Sequence, residues 1–216
     1  MTDWITPSQF QEEDWRIVAE GACAYFRTGS FAAGARLVQA ISELPGLGHR
    51  RPDVDLRHDG VTVRLFTMAE DRLGLTEQDV ELARQISAVA RKLGIASDPS
   101  QIQTVQVTID ALVSADVMPF WRAVLGYADR VDSPDDLIDP RWRGPNFWFQ
   151  DMDAPRPQRN RIHIDVWVPY ELAEARIAAA LAAGGHLVSD KNAPAGWVLA
   201  DAEGNECCVA TIEVRG

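Results

Sequence analysis

The chain has 216 residues, enough for two small domains, and a hydrophobic content of 46 % that is ordinary for a protein with a buried core. Its formal net charge of −11 excludes the basic footprint that a nucleic acid or an anionic membrane surface requires. No apolar run reaches the length of a membrane span, and the start, MTDWITPSQFQEEDW, lacks the basic-then-apolar pattern of a secretory signal. Cys23, Cys207 and Cys208 have no zinc spacing and two are adjacent, so they read as the reduced, buried thiols of a cytoplasmic protein.

In chain order, Ala22–Arg27 is a short aromatic strand. Ser30 is placed to cap a helix that runs to about Leu44, with Phe31, Ala35, Leu37, Val38 and Ile41 on its inner side, before Pro45-Gly46 stops it. Val54–Arg57 and Val61–Thr67 flank Asp59-Gly60, a hairpin signal. Thr76 and Asp79 have the spacing of a capping box. The helix they open carries Val80, Leu82, Ala83, Ile86, Val89, Ala90 and Leu93 at helical spacing. The first half is therefore expected to be α+β, with helices on one face of an antiparallel sheet.

Gly94 and Asp98-Pro99-Ser100 carry helix-stop and turn chemistry, which divides the chain into 1–95, a linker at 96–101, and 102–216. The second half reads as strand, helix, strands, twice over. Gln103–Ile109 and Arg161–Val168 alternate. Helices Asp116–Leu125 and Tyr170–Ala183 follow them and end at Gly126 and Gly184-Gly185. Trp197–Ala200 and Glu206–Ile212 close the chain as strands, and Ser133–Arg159 reads as a long loop around one strand at Asn146–Gln150. An internal repeat of this kind implies two related βαβββ units.

The segment GHRRPDVDLRHDGVTVRLFT (48–67), with Phe31 opening the first helix and Gly74-Leu-Thr-Glu-Gln-Asp79 opening the last, resembles the pterin-4a-carbinolamine dehydratases over Trp15–Leu93. That resemblance implies a metal-free hydro-lyase acting on a tetrahydrobiopterin-type carbinolamine, with histidines near neutral pKa moving the protons. The family's His-His-Pro is Arg50-Arg51-Pro52 here, and the histidine expected after Thr67 is Met68. An arginine stays protonated at any working pH and cannot serve as a general base. His49, displaced by one position, is the remaining proton carrier, and Asp79 or Asp55 is the carboxylate placed to assist it. His58 and Asp55 stand where substrate would lie, and Arg50-Arg51 would make the old pocket an anion-accepting or interaction surface. The expectation is that dehydratase activity is lost or strongly reduced.

Pro119-Phe-Trp-Arg-Ala-Val-Leu-Gly-Tyr127, Arg161-Ile-His-Ile-Asp165 and Asp201-Ala-Glu-Gly-Asn-Glu-Cys-Cys208 resemble the glyoxalase-like branch of the vicinal-oxygen-chelate superfamily. The resemblance implies a divalent metal, Zn, Ni, Mn or Fe(II), in a β-cup, chelating neighbouring substrate oxygens. His163, Asp165 and Trp167 share one strand face by alternation, opposite Ile162, Ile164 and Val166. His163 and Glu206 match ligand positions, and Gln106 is the amide candidate on the first strand. Trp167 and Trp197, with Trp142 and Trp148, supply aromatics for a planar ligand or for core packing. Two functions stay open: an enzyme of the lyase or dioxygenase type, or a binding protein for a planar heterocycle. A small-molecule partner and a homodimer are expected in either case.

Overall fold

The structure is a computed structural model that describes residues 3–19, 21–45, 47, 51–155 and 162–212. The chain divides into two compact units, Met1–Thr104 and Val105–Gly216. No helix among the described residues is long and apolar enough to cross a membrane.

In the first unit, β1 (Trp4–Ile5), β2 (Arg16–Val18) and β3 (Gly21–Arg27) precede α1 (Phe31–Ser42). The hairpin β4 (Asp53–Leu56) and β5 (Gly60–Leu65) follows, then β6 (Thr67–Met68), β7 (Leu73–Thr76), α2 (Glu77–Lys92) and β8 (Ala96–Ser97). The main sheet runs β2-β3-β5-β4, all antiparallel, with β8 also on β3; a smaller sheet runs β1-β7-β6. Alternation along β5 sends Val61, Val63 and Leu65 into the core and leaves Thr62 and Arg64 on the other face. α1 covers that core with Gly34, Leu37 and Ile41, and α2 with Val80, Ala83, Ile86 and Ala90. Gly34 permits the close approach of helix and sheet: a Cβ there would lie 2.3 Å from Leu56 Cδ1. Ser30 caps α1, its hydroxyl accepting from the Ala33 amide at 3.2 Å.

Three expectations need correction in this unit. Phe31 is 56 % exposed and Ala35 is exposed, because the buried stripe of α1 centres on Gly34, Leu37 and Ile41 and both residues lie to one side of it. Leu93 is exposed because it is the C-cap of α2, past the last turn that meets the sheet. The stretch 96–101, expected as a linker, belongs to the first unit. β8 pairs with Phe26 and Arg27 of β3, Arg27 forms an ion pair with Asp98, and the units part between Thr104 and Val105.

The second unit repeats one plan. β9 (Gln106–Ala111), α3 (Ser114–Leu125), β10 (Ala128–Asp129), β11 (Asp136–Ile138) and β12 (Asn146–Asp151) form the first βαβββ module. β13 (Ile164–Trp167), α4 (Tyr170–Ala182), β14 (His186–Ser189), β15 (Gly196–Ala200) and β16 (Glu206–Ala210) form the second. Each sheet has its module's last strand between the first and third: β9-β12-β11-β10 and β13-β16-β15-β14, with β9–β12 and β13–β16 parallel and the other pairs antiparallel. Trp121, Phe120, Phe147, Phe149, Leu199, Cys207 and Val209 make the core. Gly126 ends α3 in the left-handed region (φ +68°), its amide bonded to the Arg122 carbonyl at 3.0 Å.

The first strand of this unit begins three residues later than the alternation predicts and runs on to Ala111. Ser133–Arg159 holds β11 as well as β12; Asp136, Leu137 and Ile138 are all buried, so that strand has no alternation to read. On β13, Ile164 and Val166 pack on the core as expected, but Ile162 precedes the strand and is 80 % exposed.

Candidate functional site

In the first unit, His49 and Arg50 lie outside the described residues, and Arg51 is exposed. Asp55 lies on the outer strand of the β4–β5 hairpin, where both carboxylate oxygens accept from Arg57 Nε at 2.9 Å. His58, at the tip, has its Nδ1 2.6 Å from Asp59 Oδ1 and is largely exposed. Asp53 pairs with Arg64 across the hairpin. These polar residues therefore satisfy one another within the hairpin.

Asp79 is the exception, only 2 % exposed. Its Oδ2 accepts from the Thr76 amide at 2.8 Å, the Thr76 hydroxyl at 2.7 Å and the Thr67 hydroxyl at 2.8 Å. One carboxylate thus caps α2 and ties β6 to it. This is the work of the capping box predicted from Thr76 and Asp79, and it accounts for the residue without a proton-transfer role.

The second unit contains a cavity of about 610 Å³. Thr108 and Asp110 of β9, His163 ahead of β13, and Asn205 and Glu206 at the start of β16 bring polar atoms to its wall; Val107, Leu112, Trp121, Met152 and Ile164 make it apolar elsewhere. Gln106 does not line it. The Gln106 amide donates to Asp136 Oδ1 at 3.3 Å, within its own sheet, so of the three expected metal ligands His163 and Glu206 share a wall and Gln106 stands apart.

The turn before β16 explains the signature 201–208. Asp201 is fully buried. Its Oδ2 accepts from Trp121 Nε1 and Asn205 Nδ2, both at 2.9 Å, and its Oδ1 from the amides of Glu203 (3.0 Å) and Asn205 (2.9 Å). Glu203 reaches the turn before α3, accepting from the Leu112 and Val113 amides at 2.8 and 2.9 Å. Gly204 supplies the positive φ of +89°. The signature is thus a scaffold that fixes the opening of β16.

β16 alternates, so Cys207 and Val209 point into the core while Cys208 takes the opposite face. Burial pushes the Cys207 thiol up to about 12, which makes it inert. Cys208, expected as a second buried thiol, is only partly buried and sits beside Asp165 in the parallel β13–β16 register. His163, Asp165 and Cys208 offer ligand atoms within 4.8 Å of one another, and His163 Nε2 is 3.3 Å from Asp165 Oδ1. Both strands were legible, but their pairing was not, so the sequence signal for this cluster amounts to the alternation on each strand.

Trp167 is 64 % exposed on this same face and lines a second hollow of about 480 Å³ with Asp165, Cys208, Lys191 and Asn192. Trp197 pairs with Val209 and packs against the core, so the two tryptophans expected to flank one ligand lie on opposite faces of their sheet.

Residues 4–89 match the family model described as pterin 4 alpha carbinolamine dehydratase, and residues 106–210 match the glyoxalase-like domain. A protein of Nocardia farcinica assigned as a pterin-4-alpha-carbinolamine dehydratase is 35 % identical over 78 residues, which is 36 % of this chain and 80 % of that protein. One of Acidobacterium capsulatum with the same assignment is 30 % identical over 90 residues, 39 % of this chain and 96 % of that one. Among solved structures, a glyoxalase-related enzyme from Fulvimarina pelagi aligns with 51 % of this chain and 88 % of its own, at 17 % identity and a TM-score of 0.41.

Proposed function

Because the chain belongs, through residues 4–89, to the pterin 4 alpha carbinolamine dehydratase family, we propose that its first unit is a dehydratase module whose proton-transfer chemistry is lost or strongly reduced, and that the second unit binds a small molecule. The observation that carries this reading is the pair Arg50-Arg51 ahead of Pro52. Dehydrating a carbinolamine requires a group that gives and takes a proton near neutral pH; a guanidinium holds its proton throughout. The nearby carboxylates do not replace it. Asp79 is committed to the α2 cap, and Asp55 is exposed and bound to Arg57. His49 is the one histidine next to the motif, and the two guanidinium groups of Arg50-Arg51 in its place suit an anion or a partner protein.

The second unit supplies the concave volume. About 610 Å³ lies within the ordinary range for a small-molecule site, and an apolar wall with a few convergent polar groups suits a planar heterocycle. His163 and Glu206 in that wall also favour a second reading, a metal-dependent lyase or dioxygenase. The test of the main reading is carbinolamine dehydration by the full chain. The rate should fall at least about 100-fold below that of a relative carrying both histidines, the scale of one general acid–base group. Turnover at the relative's rate, abolished by His49→Ala, would overturn it.

A further inference from the structure

We propose that His163, Asp165 and Cys208 form a thiolate-containing transition-metal site on the solvent-facing side of the β13–β16 pair. This deepens the second reading above and is independent of the first.

The geometry follows from register. β13 and β16 are parallel, with Asp165 opposite Cys208, so the two side chains project side by side. His163 stands just ahead of the strand, two residues before Asp165, and its ring turns to that carboxylate. Metal bonds of 2.0–2.3 Å to N, O and S donors give a tetrahedron with edges of about 3.3–3.8 Å. The His163–Asp165 edge is already 3.3 Å. The remaining pairs lie within 4.8 Å, so side-chain rotation of about 1.5 Å or less closes the triangle.

The donor set determines the class of ion. One imidazole, one carboxylate and one thiolate suit Zn²⁺ or Co²⁺ and disfavour Mg²⁺, Ca²⁺ and Mn²⁺, which take oxygen ligands. This differs from the thiolate-free carboxylate, amide and imidazole set of Gln106, His163 and Glu206 expected from the sequence, and it uses the one cysteine that is not buried. Three protein ligands leave a fourth position open. The 480 Å³ hollow beside Asp165 and Cys208 carries Lys191 and Asn192, which suits an anionic co-ligand there. The His163 and Asp165 side chains are about half exposed, at 51 % and 49 %, so the ion can enter from solvent.

The experiment titrates the metal-free full chain with Co²⁺ alone and reads absorbance. A near-ultraviolet thiolate-to-cobalt band should rise to one equivalent, and Zn²⁺ should displace it. Cys208→Ser should abolish the band, and Cys207→Ser should leave it unchanged. His163→Ala should weaken Zn²⁺ binding by more than the roughly 10–100-fold that an outer-sphere change costs. Absence of the band in the folded wild-type chain, or its survival in Cys208→Ser, overturns the proposal. If Cys208→Ser fails to fold, alkylation of the wild-type protein decides instead: Zn²⁺ should slow modification of Cys208, and an unchanged rate also overturns it. Neither readout depends on turnover, so failure here leaves the small-molecule cavity and the dehydratase reading untouched.

Discussion

The first unit carries the charged residues of its family likeness on the outer edge and tip of a hairpin, and the second carries its likeness around a hollow. Asp53, Asp55 and His58 each find a partner within β4, β5 or the turn between them, close to the surface. His163, Asn205 and Glu206, by contrast, come from segments that meet only through the pairing of β13 with β16, and they converge on one cavity. Where diagnostic residues are neighbours in sequence, local ion pairs keep the fold recognisable without enclosing a site. Where they are brought together by strand pairing, preserving the fold also preserves a concave surface that chemistry can use.

Each unit also has a buried carboxylate that gathers several donors, Asp79 in the first and Asp201 in the second, and removing these in turn sharpens the contrast. The largest effect is expected from Asp201→Ala. It strands the Trp121 indole N–H and the amides of Glu203 and Asn205 and frees the start of β16, for a loss of about 3–5 kcal/mol. Denaturant unfolding followed by tryptophan fluorescence should show the second unit's transition moving to lower denaturant while the first unit's stays put. A shift shared equally by both would break the separation of the units. Asp79→Ala is expected to cost less, about 1–3 kcal/mol, confined to the first unit, because two of the donors it strands belong to Thr76 at the start of α2 and the third is the partly exposed Thr67 hydroxyl on β6. Far-ultraviolet circular dichroism of the melt checks it. A neutral effect would return Asp79 to the list of candidates for chemistry.

Much of this was legible beforehand because local rules acted alone. The stripes of α1 and α2, the Asp59-Gly60 turn, the Thr76–Asp79 box and the glycine stop at Gly126 are encoded within a few residues each. The misplaced residues have physical reasons. Phe31 and Leu93 fit a helical period but sit off the covered face, and β11 is too short and too buried to alternate. The cluster of His163, Asp165 and Cys208 depended on register between distant strands, which no local pattern fixes. Gln106 was a reasonable amide ligand by residue type, yet Asp136, a buried carboxylate in the supposed loop, holds it in its own sheet.

The smallest expected effect concerns Tyr127 and Asp139, which organise the loop after β11 as Asp201 organises the turn before β16. Asp139 is buried, which on its own would raise its pKa. Hydrogen bonds from the amides of Arg141, Gly144 and Arg143 and from the Arg141 side chain outweigh burial and hold the carboxyl below its ordinary range. Its folded pKa is depressed, so the stability it contributes is present above the ordinary value of 3.8 and is lost as pH falls through the folded one. Tyr127 behaves in the opposite sense: burial first, then the Asp139 charge, push its phenol up to about 12. Its contribution is therefore present below the ordinary 10.0 and is lost as pH rises through about 12. Ultraviolet titration of the tyrosines should find Tyr127 ionising last. Asp139→Asn should bring it part of the way toward 10.0 and no further, because burial is the larger cause and remains. An unmoved Tyr127 would mean that the Asp139 charge does not reach it and that burial alone raises the phenol, with Asp139 acting only through the loop it bonds.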